Sequence, residues 1–391
     1  MKFIHTADWQ IGKPFARIRD ANKRVLVQKA RIDAIKRIGA IGKECGVEFV
    51  LVAGDLFDSS TPDKATVSAA CSVIGQIDLP VIVIPGNHDH GGAGCVWEQD
   101  FFTREQVALA PNLNVLREAV PFELESAVLL PCPLPHRIVS ADPTEWLRDS
   151  DVYAKVSPGK PRIVLAHGST QSFSGEWDDD EEGNSASNLI NLDRLPNPEI
   201  DYIALGDWHG TKQVSEKAWF AGTPELDRFP KGGEHDPGNI LVVEVQRGKI
   251  PQVSKVATAS LQWSELVFDL ADDAALNELE NRLAALMGKR TNENLLRLTL
   301  TGSVGIEASN RLEQVLESLV ARLLRLKIAN QTLIAPTVEE IQALTQRGSD
   351  PLIANVARKL VEQSVGDNDD GRVARIALRE LHAACMQEAS L

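Results

Sequence analysis

Apolar runs that stop abruptly at polar residues constrain the fold of this sequence more than any other feature. Residues 49–53 form one such run, which ends at Gly54 and Asp55. A short continuous apolar run is typical of a buried parallel strand, which presents polar groups at its C-terminal edge. Four further runs end in the same way, and the polar residues that follow them are Asp8 with Gln10, Asn87 with His88 and Asp89, His167, and Asp207 with His209. The pattern predicts an α/β fold in which five strand ends deliver carboxylate, amide and imidazole groups to one place.

The order of the predicted strands and helices divides the 391-residue chain into three parts. A chain of this length is expected to contain two or three domains, each with its own core. Strands alternate with helices over residues 1–260, which predicts one α/β domain. Residues 261–335 show a strand-helix-strand-helix pattern that predicts a small α+β capping domain, and residues 336–391 predict a helical C-terminal segment. The polar clusters all lie in the first part, so the later parts are expected to cap it or to bind a partner.

Apolar stretches and cysteines bear on where the protein works. The apolar stretch at the start of the chain is too short for a signal peptide, and no later run approaches the length of a membrane helix. We therefore expect a cytoplasmic protein with no membrane partner. The five cysteines are scattered and form no Cys-x-x-Cys pair, which argues against both a disulfide framework and a cysteine zinc site.

Charge is distributed unevenly along the chain. Residues 13–37 contain nine basic and only two acidic residues, whereas the whole chain has a formal net charge of −14. This basic stretch directly follows the first polar cluster, so it could bind phosphates, or it could be the solvated face of an amphipathic helix. The acidic run 178–182 is most simply a solvated loop, with a gate against phosphates or an auxiliary metal site as alternatives.

The residue types in the five clusters suit the hydrolysis of a phosphodiester. That reaction needs a strong nucleophile at neutral pH and positive charge on the phosphoryl oxygens. Two divalent ions about 3.5–4 Å apart supply both, because a water between them loses its proton easily. The clusters offer one set of candidate ligands, namely Asp8, Gln10, Asp55, Asn87, His167, Asp207 and His209. His88 remains as an imidazole that could protonate the leaving oxygen or stabilise the transition state.

Two blocks of the sequence resemble the signature motifs of the calcineurin-like binuclear metallophosphoesterases. These blocks are Gly-Asp-Leu-Phe-Asp at 54–58 and Gly-Asn-His-Asp at 86–89. The three other expected motifs follow in order at residues 5–8, 166–168 and 206–209. The resemblance covers residues 1–260 and implies a four-layer αββα sandwich, here with a smaller C-terminal α+β capping region and a helical tail.

Finer features of the motifs resemble one branch of that superfamily. The Gly-Asp-Leu-Phe-Asp form and the Ala-Gly-Thr-Pro-Glu loop at 221–225 are similar to the bacterial DNA-repair exonucleases, which include the nuclease subunit of SbcCD. Within that branch, the chain looks most like the manganese-dependent DNA endonucleases encoded beside Lhr-type helicases. This resemblance implies DNA as substrate, a role in DNA repair, and a helicase or ATPase as a possible partner.

The resemblance also implies a role for each matching residue. Asp8, the residue at 10 and His209 would bind one metal ion, and Asp55 would bridge it to a second. Asn87, His167 and the residue at 207 would complete the second site. His88 would be the catalytic histidine, with Asp89 orienting it.

Two ligand positions depart from the family pattern. Gln10 and Asp207 stand where the family usually has histidine. Each ion would then have three oxygen ligands and one nitrogen ligand from the protein. Oxygen-rich surroundings suit manganese or magnesium better than zinc, so we expect two divalent ions with manganese preferred.

The sequence therefore predicts a metal-dependent DNA endonuclease or phosphodiesterase that attacks the DNA backbone with a hydroxide activated by two metal ions. Two other functions stay open. One is a phosphodiesterase or phosphatase that acts on a small molecule, and the other is a repair scaffold without catalytic activity. The sequence leaves open the strand preference, the polarity of cleavage and the oligomeric state.

Overall fold

The computed structural model describes residues 1–170, 188–229, 236–288, 292–334, 337–347, 350–366 and 368–388. The chain forms two compact units, Met1–Leu261 and Gln262–Leu391. The acidic run 178–182 lies outside the described residues. The three-domain division proposed from the sequence stays a prediction.

Two six-stranded sheets form the centre of the first unit. Its strands are β1 (Lys2–Thr6), β2 (Val50–Val52), β3 (Val81–Val83), β4 (Leu113–Val115), β5 (Phe122–Glu123), β6 (Val128–Cys132), β7 (Arg162–His167), β8 (Tyr202–Gly206), β9 (Lys212–Gln213), β10 (Ala218–Phe220), β11 (Asn239–Glu244) and β12 (Gln252–Ala257). One sheet has the order β12-β11-β1-β2-β3-β4, and the other has the order β5-β6-β7-β8-β10-β9. The strands β1 to β4 are parallel to one another, as are β6, β7, β8 and β10.

Four α-helices accompany these sheets in the part of the unit that the structure describes. They are α1 (Ala21–Cys45), α2 (Lys64–Ile74), α3 (Asp100–Leu109) and α4 (Ser150–Ala154). Short 3-10 turns occur at Val96–Glu98, Glu145–Arg148, Leu192–Arg194 and Asn197–Glu199. The sequence Thr61-Pro62-Asp63 predicts a helix start with Thr61 as the cap and Pro62 at the first helical position, and this prediction is wrong. Asp63 caps the helix, because its carboxylate accepts a hydrogen bond from the backbone N–H of Thr66 at 2.7 Å.

Alternation along the strands builds the layers of the first unit. Val50 and Val52 pack in the same core as Ile35 of α1, whereas Leu51 packs in the core that also contains Leu129 of the other sheet. Successive side chains of a strand point to opposite faces, so one strand can serve both cores. A third core lies on the far side of the second sheet, against α4 and the 3-10 turns Glu145–Arg148 and Leu192–Arg194. These layers confirm the predicted αββα sandwich.

The second unit is a smaller α/β assembly followed by helices. Its strands are β13 (Gln262–Leu270), β14 (Asn294–Val304), β15 (Arg325–Asn330) and β16 (Leu333–Ile334), and its helices are α5 (Ala275–Met287), α6 (Ile306–Arg322), α7 (Val338–Thr345), α8 (Pro351–Ser364) and α9 (Asp369–Glu388). The central strand β14 pairs in parallel with β13, β15 and β16. Leu283 of α5 and Leu312 of α6 lie in the core of this sheet, and Leu344 of α7 lies with Leu378 of α9 in a separate cluster.

Across the described parts of the chain, no helix is both long enough and apolar enough to span a membrane.

The core between the two sheets makes a direct stability prediction. Leu51 is fully buried there. The Leu51→Ala variant should lose about 2–5 kcal/mol of unfolding free energy, because the lost methyl groups leave a cavity. Val107 on α3 is 72% exposed, so Val107→Ala should change that free energy by less than about 0.5 kcal/mol. Urea unfolding of both variants measures the difference, and equal losses would contradict the placement of Leu51 in the core.

Candidate metal centre

The backbone is strained where the strand ends that carry the predicted ligands meet. Four residues other than glycine have positive φ there, namely Asp8 at 54°, Gln10 at 41°, Asp55 at 55° and Asp207 at 97°. Such conformations cost about 1–3 kcal/mol each and persist only where the surroundings enforce them. Backbone hydrogen bonds enforce two of them, because the N–H of Asp8 donates to Gly54 and the N–H of Gln10 donates to Asp55. The strain therefore falls on the residues whose side chains were predicted to bind metal.

Close packing explains why two of the motifs need glycine. A Cβ atom on Gly54 would lie 2.2 Å from Nδ1 of His167, and one on Gly86 would lie 2.2 Å from Oδ1 of Asp55. The same Asp55 oxygen accepts a hydrogen bond from the backbone N–H of His88 at 2.9 Å. The glycines thus let a histidine of one sheet and a loop of the other approach the same carboxylate.

The ligands predicted for the second metal form a compact set. Nε2 of His167 lies 3.6 Å from Oδ1 of Asp55 and 3.7 Å from Oδ1 of Asp207. The side-chain amide of Asn87 donates to the same Asp207 oxygen at 3.2 Å. Nδ1 of His167 donates to the carbonyl oxygen of Ala53 at 2.7 Å. That hydrogen bond orients the ring and leaves Nε2 as the nitrogen available to a metal.

Two buried atoms of this set have no hydrogen-bond partner among the described residues. They are Oδ1 of Asn87 and Nε2 of His167. A buried polar atom without a partner costs about 1–3 kcal/mol, so such atoms usually have a ligand or an ion to bind. Asp8, Asp55 and His167 also each offer one atom within 4.8 Å of the others. The donor chemistry and the geometry of these residues fit a divalent ion.

The ligands predicted for the first metal also converge, but the amide oxygen of Gln10 already accepts a hydrogen bond from the protein. Nε2 of His209 lies 4.0 Å from Oδ1 of Asp8 and 3.3 Å from the side-chain nitrogen of Gln10. The backbone N–H of Asp207 faces both carboxylate oxygens of Asp8 at 3.3 Å. The amide oxygen of Gln10 accepts a hydrogen bond from Nζ of Lys13 at 2.8 Å. Gln10, which stands where the family usually has histidine, is therefore bound by the ammonium group of Lys13.

A buried aspartate that sequence reasoning missed supports His209. Oδ2 of Asp227 lies 3.0 Å from Nδ1 of His209, 3.1 Å from Nη2 of Arg228 and 3.1 Å from Nζ of Lys13. A carboxylate behind a histidine commonly fixes the orientation of the ring toward a metal. Asp227 follows the Ala-Gly-Thr-Pro-Glu loop at 221–225, which resembles the DNA-repair branch of the family. Only its position beside that loop could have indicated a role at the site.

The structure divides the basic stretch 13–37 into separate groups. Arg31 is buried, and its guanidinium donates to the backbone oxygens of Asp8, Trp9 and Glu225. It therefore holds the loop that carries Asp8 and is not available to a ligand. Other members of the stretch bind nearby acids or carbonyls, namely Lys13, Lys29, Lys36 and Arg37. Arg17 and Arg19 are exposed in the loop between β1 and α1.

His88 and Asp89 are held by different contacts. Nδ1 of His88 donates to the backbone oxygen of Asp58 at 3.0 Å. The carboxylate of Asp89 accepts from the backbone N–H groups of Phe57 and Gly86, at 3.0 Å and 2.8 Å. The structure thus corrects the expectation that Asp89 orients the His88 ring. Asp89 ties together the two loops that carry Asp55 and His88, and the Asp58 carbonyl orients the ring.

Burial and mutual repulsion set the charges of the carboxylates. Burial raises the pKa of Asp8 to about 8, where the charges of Asp55 and Asp207 add to the effect and that of His167 opposes it. Burial likewise raises the pKa of Asp207, with Asp55 adding to it. Burial works against the charge of Asp55 too, but the positive charges of His167 and His88 outweigh it and lower the pKa of Asp55. The three carboxylates need added positive charge to be ionised together.

The pKa values of the two predicted histidine ligands shift in opposite directions. Burial opposes the charged form of His167, but Asp55, Asp8 and Asp207 outweigh it and raise the pKa to about 9. Burial lowers the pKa of His209 to about 4, and Asp227 offsets only part of that effect. His209 is therefore neutral near neutral pH, whereas His167 must lose a proton before its Nε2 can bind a metal.

These pKa shifts predict that metal binding releases protons. Asp8 and His167 have pKa values above neutral, so saturating the metal-free protein with Mn²⁺ near pH 7 should release about two protons per chain. The apparent affinity should rise as the pH is raised, because protons compete less for the ligands. Calorimetry in buffers with different ionisation enthalpies measures the number of protons.

The exposed His136 provides a control for this measurement. The His136→Asn variant should release as many protons as the unaltered protein. Manganese binding without proton release would show that these ligands are already ionised.

The chain is similar to a known family and to solved structures. A family model described as "Calcineurin-like phosphoesterase" matches residues 1–211, which include all the predicted metal ligands. TT1561 of Thermus thermophilus is a similar solved structure, with 10% identity over 66% of this chain and 98% of that chain and a TM-score of 0.38. A second solved structure has the same identity and coverage and a TM-score of 0.41. The family model spans more than half of the sequence, and the chain therefore belongs to the calcineurin-like phosphoesterase family of metal-dependent hydrolases.

Proposed function

We propose that this protein is a manganese-dependent endonuclease that hydrolyses the phosphodiester bonds of DNA. The observation that carries the proposal is the convergence of Asp8, Asp55 and His167, whose ligand atoms lie within 4.8 Å of one another. Exposed arginines lie in the loop that follows the first ligands, where an extended anionic substrate would pass. We further propose a place in the DNA-repair branch of the family, in the cytoplasm and with a helicase or ATPase as partner.

The ligand sets assign a task to each group of donors. Asp55, Asn87, His167 and Asp207 would hold one divalent ion, and Asp8, Gln10, Asp55 and His209 would hold the other. When bound, such a pair of ions makes a water more acidic and neutralises charge on the phosphoryl oxygens. Most of the metal-binding atoms that the protein offers are oxygens, which favours manganese over zinc.

His88 is suited to protonate the leaving oxygen. The Asp58 carbonyl can only accept, so Nδ1 of His88 carries the proton of that hydrogen bond and Nε2 is left for a substrate. Burial works against the charged ring, but the negative charge of Asp55 and the Asp58 carbonyl outweigh it and raise the pKa of His88. A raised pKa favours the imidazolium, the protonated form that a general acid requires.

The exposed arginines that follow the first ligands in sequence favour DNA over a small substrate. Arg17 and Arg19 are exposed in the loop between β1 and α1, whose first residues include Gln10 and Lys13. A small phosphoester has a single phosphate, whereas a DNA strand presents further phosphates on either side of the cleaved bond for such arginines to bind. We infer that the arginines position the backbone without reading its sequence.

A plasmid-nicking assay with Mn²⁺ tests the proposed activity. The Asp55→Ala variant should lose at least about 10³-fold in rate because it removes the ligand shared by both ions. The His88→Ala variant should lose about 10²–10⁴-fold while still binding Mn²⁺, because it removes only the proton donor. Asp151 is exposed on α4, and Asp151→Ala should nick at the unaltered rate.

Other outcomes of this assay favour the alternatives. Hydrolysis of bis-p-nitrophenyl phosphate without any nicking of DNA would favour a small-molecule phosphodiesterase. Unchanged nicking in Asp55→Ala would mean that the proposed site does not carry the activity. Zinc that supports nicking as well as manganese does would contradict the argument from the oxygen ligands.

The exposed arginines give a separate prediction about DNA binding. Replacing Arg17 and Arg19 together with alanine should weaken binding and reduce the slope of log affinity against log salt by about 1–2, because up to two phosphate contacts are lost. Fluorescence anisotropy at several salt concentrations measures this slope. Hydrolysis of bis-p-nitrophenyl phosphate should change little, because that substrate carries no further phosphates for the arginines to bind.

A matched variant controls for net charge. Lys29 and Lys36 are exposed on α1 and both pair with Asp33. Replacing these two lysines with alanine removes the same total charge and should leave the slope nearly unchanged. Equal slopes in the arginine variant and the unaltered protein would remove the loop from the DNA-binding surface.

A further inference from the structure

The side chain of Lys13 lies among the donors of the first ligand set. Its Nζ donates to the amide oxygen of Gln10 at 2.8 Å and lies 3.1 Å from Oδ2 of Asp227 and 3.6 Å from Oδ1 of Asp58. The Lys13 side chain is only 13% exposed, and that of Asp227 is 1% exposed. Three oxygens from separate segments thus surround one largely buried ammonium group, which distinguishes it from an ordinary surface lysine.

The path of the chain fixes Lys13 in this position. Its backbone N–H donates to the backbone oxygen of Gln10, and its backbone oxygen accepts from the side-chain amide of Gln28 on α1. Gly12 has a φ of 92°, and a Cβ atom there would lie 2.9 Å from Cγ2 of Thr66. A tight turn therefore directs the lysine side chain back onto the glutamine that begins the turn.

This arrangement sets a fixed positive charge against one of the two proposed metal sites. Gln10 offers a neutral amide oxygen, which is a weaker metal donor than a carboxylate, and its hydrogen bond to an ammonium weakens it further. The ammonium also repels a divalent ion bound beside it, because like charges interact strongly in buried surroundings. In contrast, two metal-binding atoms of the other set, Oδ1 of Asn87 and Nε2 of His167, have no hydrogen-bond partner in the described part of the chain.

We propose that Lys13 makes the two metal sites unequal by competing with the ion of the Gln10 and His209 site. The site of Asn87, His167 and Asp207 binds its ion tightly. The site of Asp8, Gln10 and His209 fills only at higher manganese concentration, when the ammonium gives up the Gln10 oxygen. The enzyme is thereby responsive to the supply of manganese. This inference rests on the ligand sets of the proposed function and adds a regulatory property to them.

Manganese titrations of the metal-free protein, followed by calorimetry and by the electron paramagnetic resonance signal of free Mn²⁺, test the proposal. The unaltered protein should bind two ions with dissociation constants that differ by at least about 10-fold. Lys13→Met removes the charge but keeps the length of the side chain. It should tighten the weaker event by about 10- to 100-fold and leave the tighter event unchanged.

Further variants assign the two manganese-binding events to the two sites and allow for a variant that does not fold. Lys13→Gln should tighten the weaker event in the same direction if Lys13→Met does not fold, and Lys13→Arg, which keeps the charge, should preserve the difference. His209→Ala should abolish the weaker event, and His167→Ala should abolish the tighter one. Lys29→Met removes an exposed charge from α1 and should change neither event.

The outcomes separate this inference from the proposed function. Two equal affinities in the unaltered protein overturn the inference but leave a two-metal nuclease intact. A weaker second event in Lys13→Met also overturns it, because Lys13 would then be helping to organise the site. A protein that binds no manganese overturns both the inference and the proposed function.

Discussion

The packing of two largely parallel sheets against each other is the constraint on which the rest of this molecule depends. Apolar side chains such as Leu51 and Leu129 fill the space between the sheets and align them. This alignment brings the C-terminal ends of β1, β2 and β3 to the same place as those of β7 and β8. Neither sheet alone contains a complete set of ligands. The apolar core therefore creates the metal centre, although none of its residues takes part in the chemistry.

The same packing concentrates negative charge where little water can reach it. Asp8, Asp55 and Asp207 come from separate strand ends, and the pKa of Asp8 rises to about 8 because burial and its neighbours oppose its ionisation. Such a cluster is stable only with compensating positive charge. The protein supplies part of that charge through Lys13 and Arg228 on the His209 side. On the His167 side, His167 and His88 offset the charge of Asp55, and Oδ1 of Asn87 and Nε2 of His167 have no hydrogen-bond partner among the described residues. The two ligand sets therefore differ in the charged groups that surround them.

The basic stretch shows how misleading net charge can be before the fold is known. Its nine positive residues suggest one phosphate-binding surface, but several of them make internal contacts in the structure. Arg31 ties the Asp8 loop to the 221–225 loop, and Arg37 pairs with Glu225. These cations hold the ligand-bearing loops in place. The part of the stretch that we propose for DNA binding is the short exposed loop that contains Arg17 and Arg19.

The sequence by itself determined an α/β fold and the positions of the ligand-bearing strand ends. Both are properties of local pattern, because the motifs couple a buried apolar run to polar groups within a few residues. The αββα order of layers was implied by the resemblance of these motifs to the family. Sequence reasoning assigned the α2 cap to Thr61, whereas Asp63 has the backbone geometry to reach the N–H of Thr66. It also expected Asp89 to orient the His88 ring, which in the structure is held by the Asp58 carbonyl.

Only the tertiary structure decided which residues support or oppose metal binding at each site. Asp227 lies behind His209, and the ion pair between Lys13 and Asp227 joins segments far apart in sequence. No periodicity or spacing encodes such contacts, since they depend on how the sheets and loops pack. The physical reason is the short range of hydrogen bonds and ion pairs. Local sequence could bring the ligands to the strand ends, but the balance of charge around them was set by neighbours that only the folded chain provides.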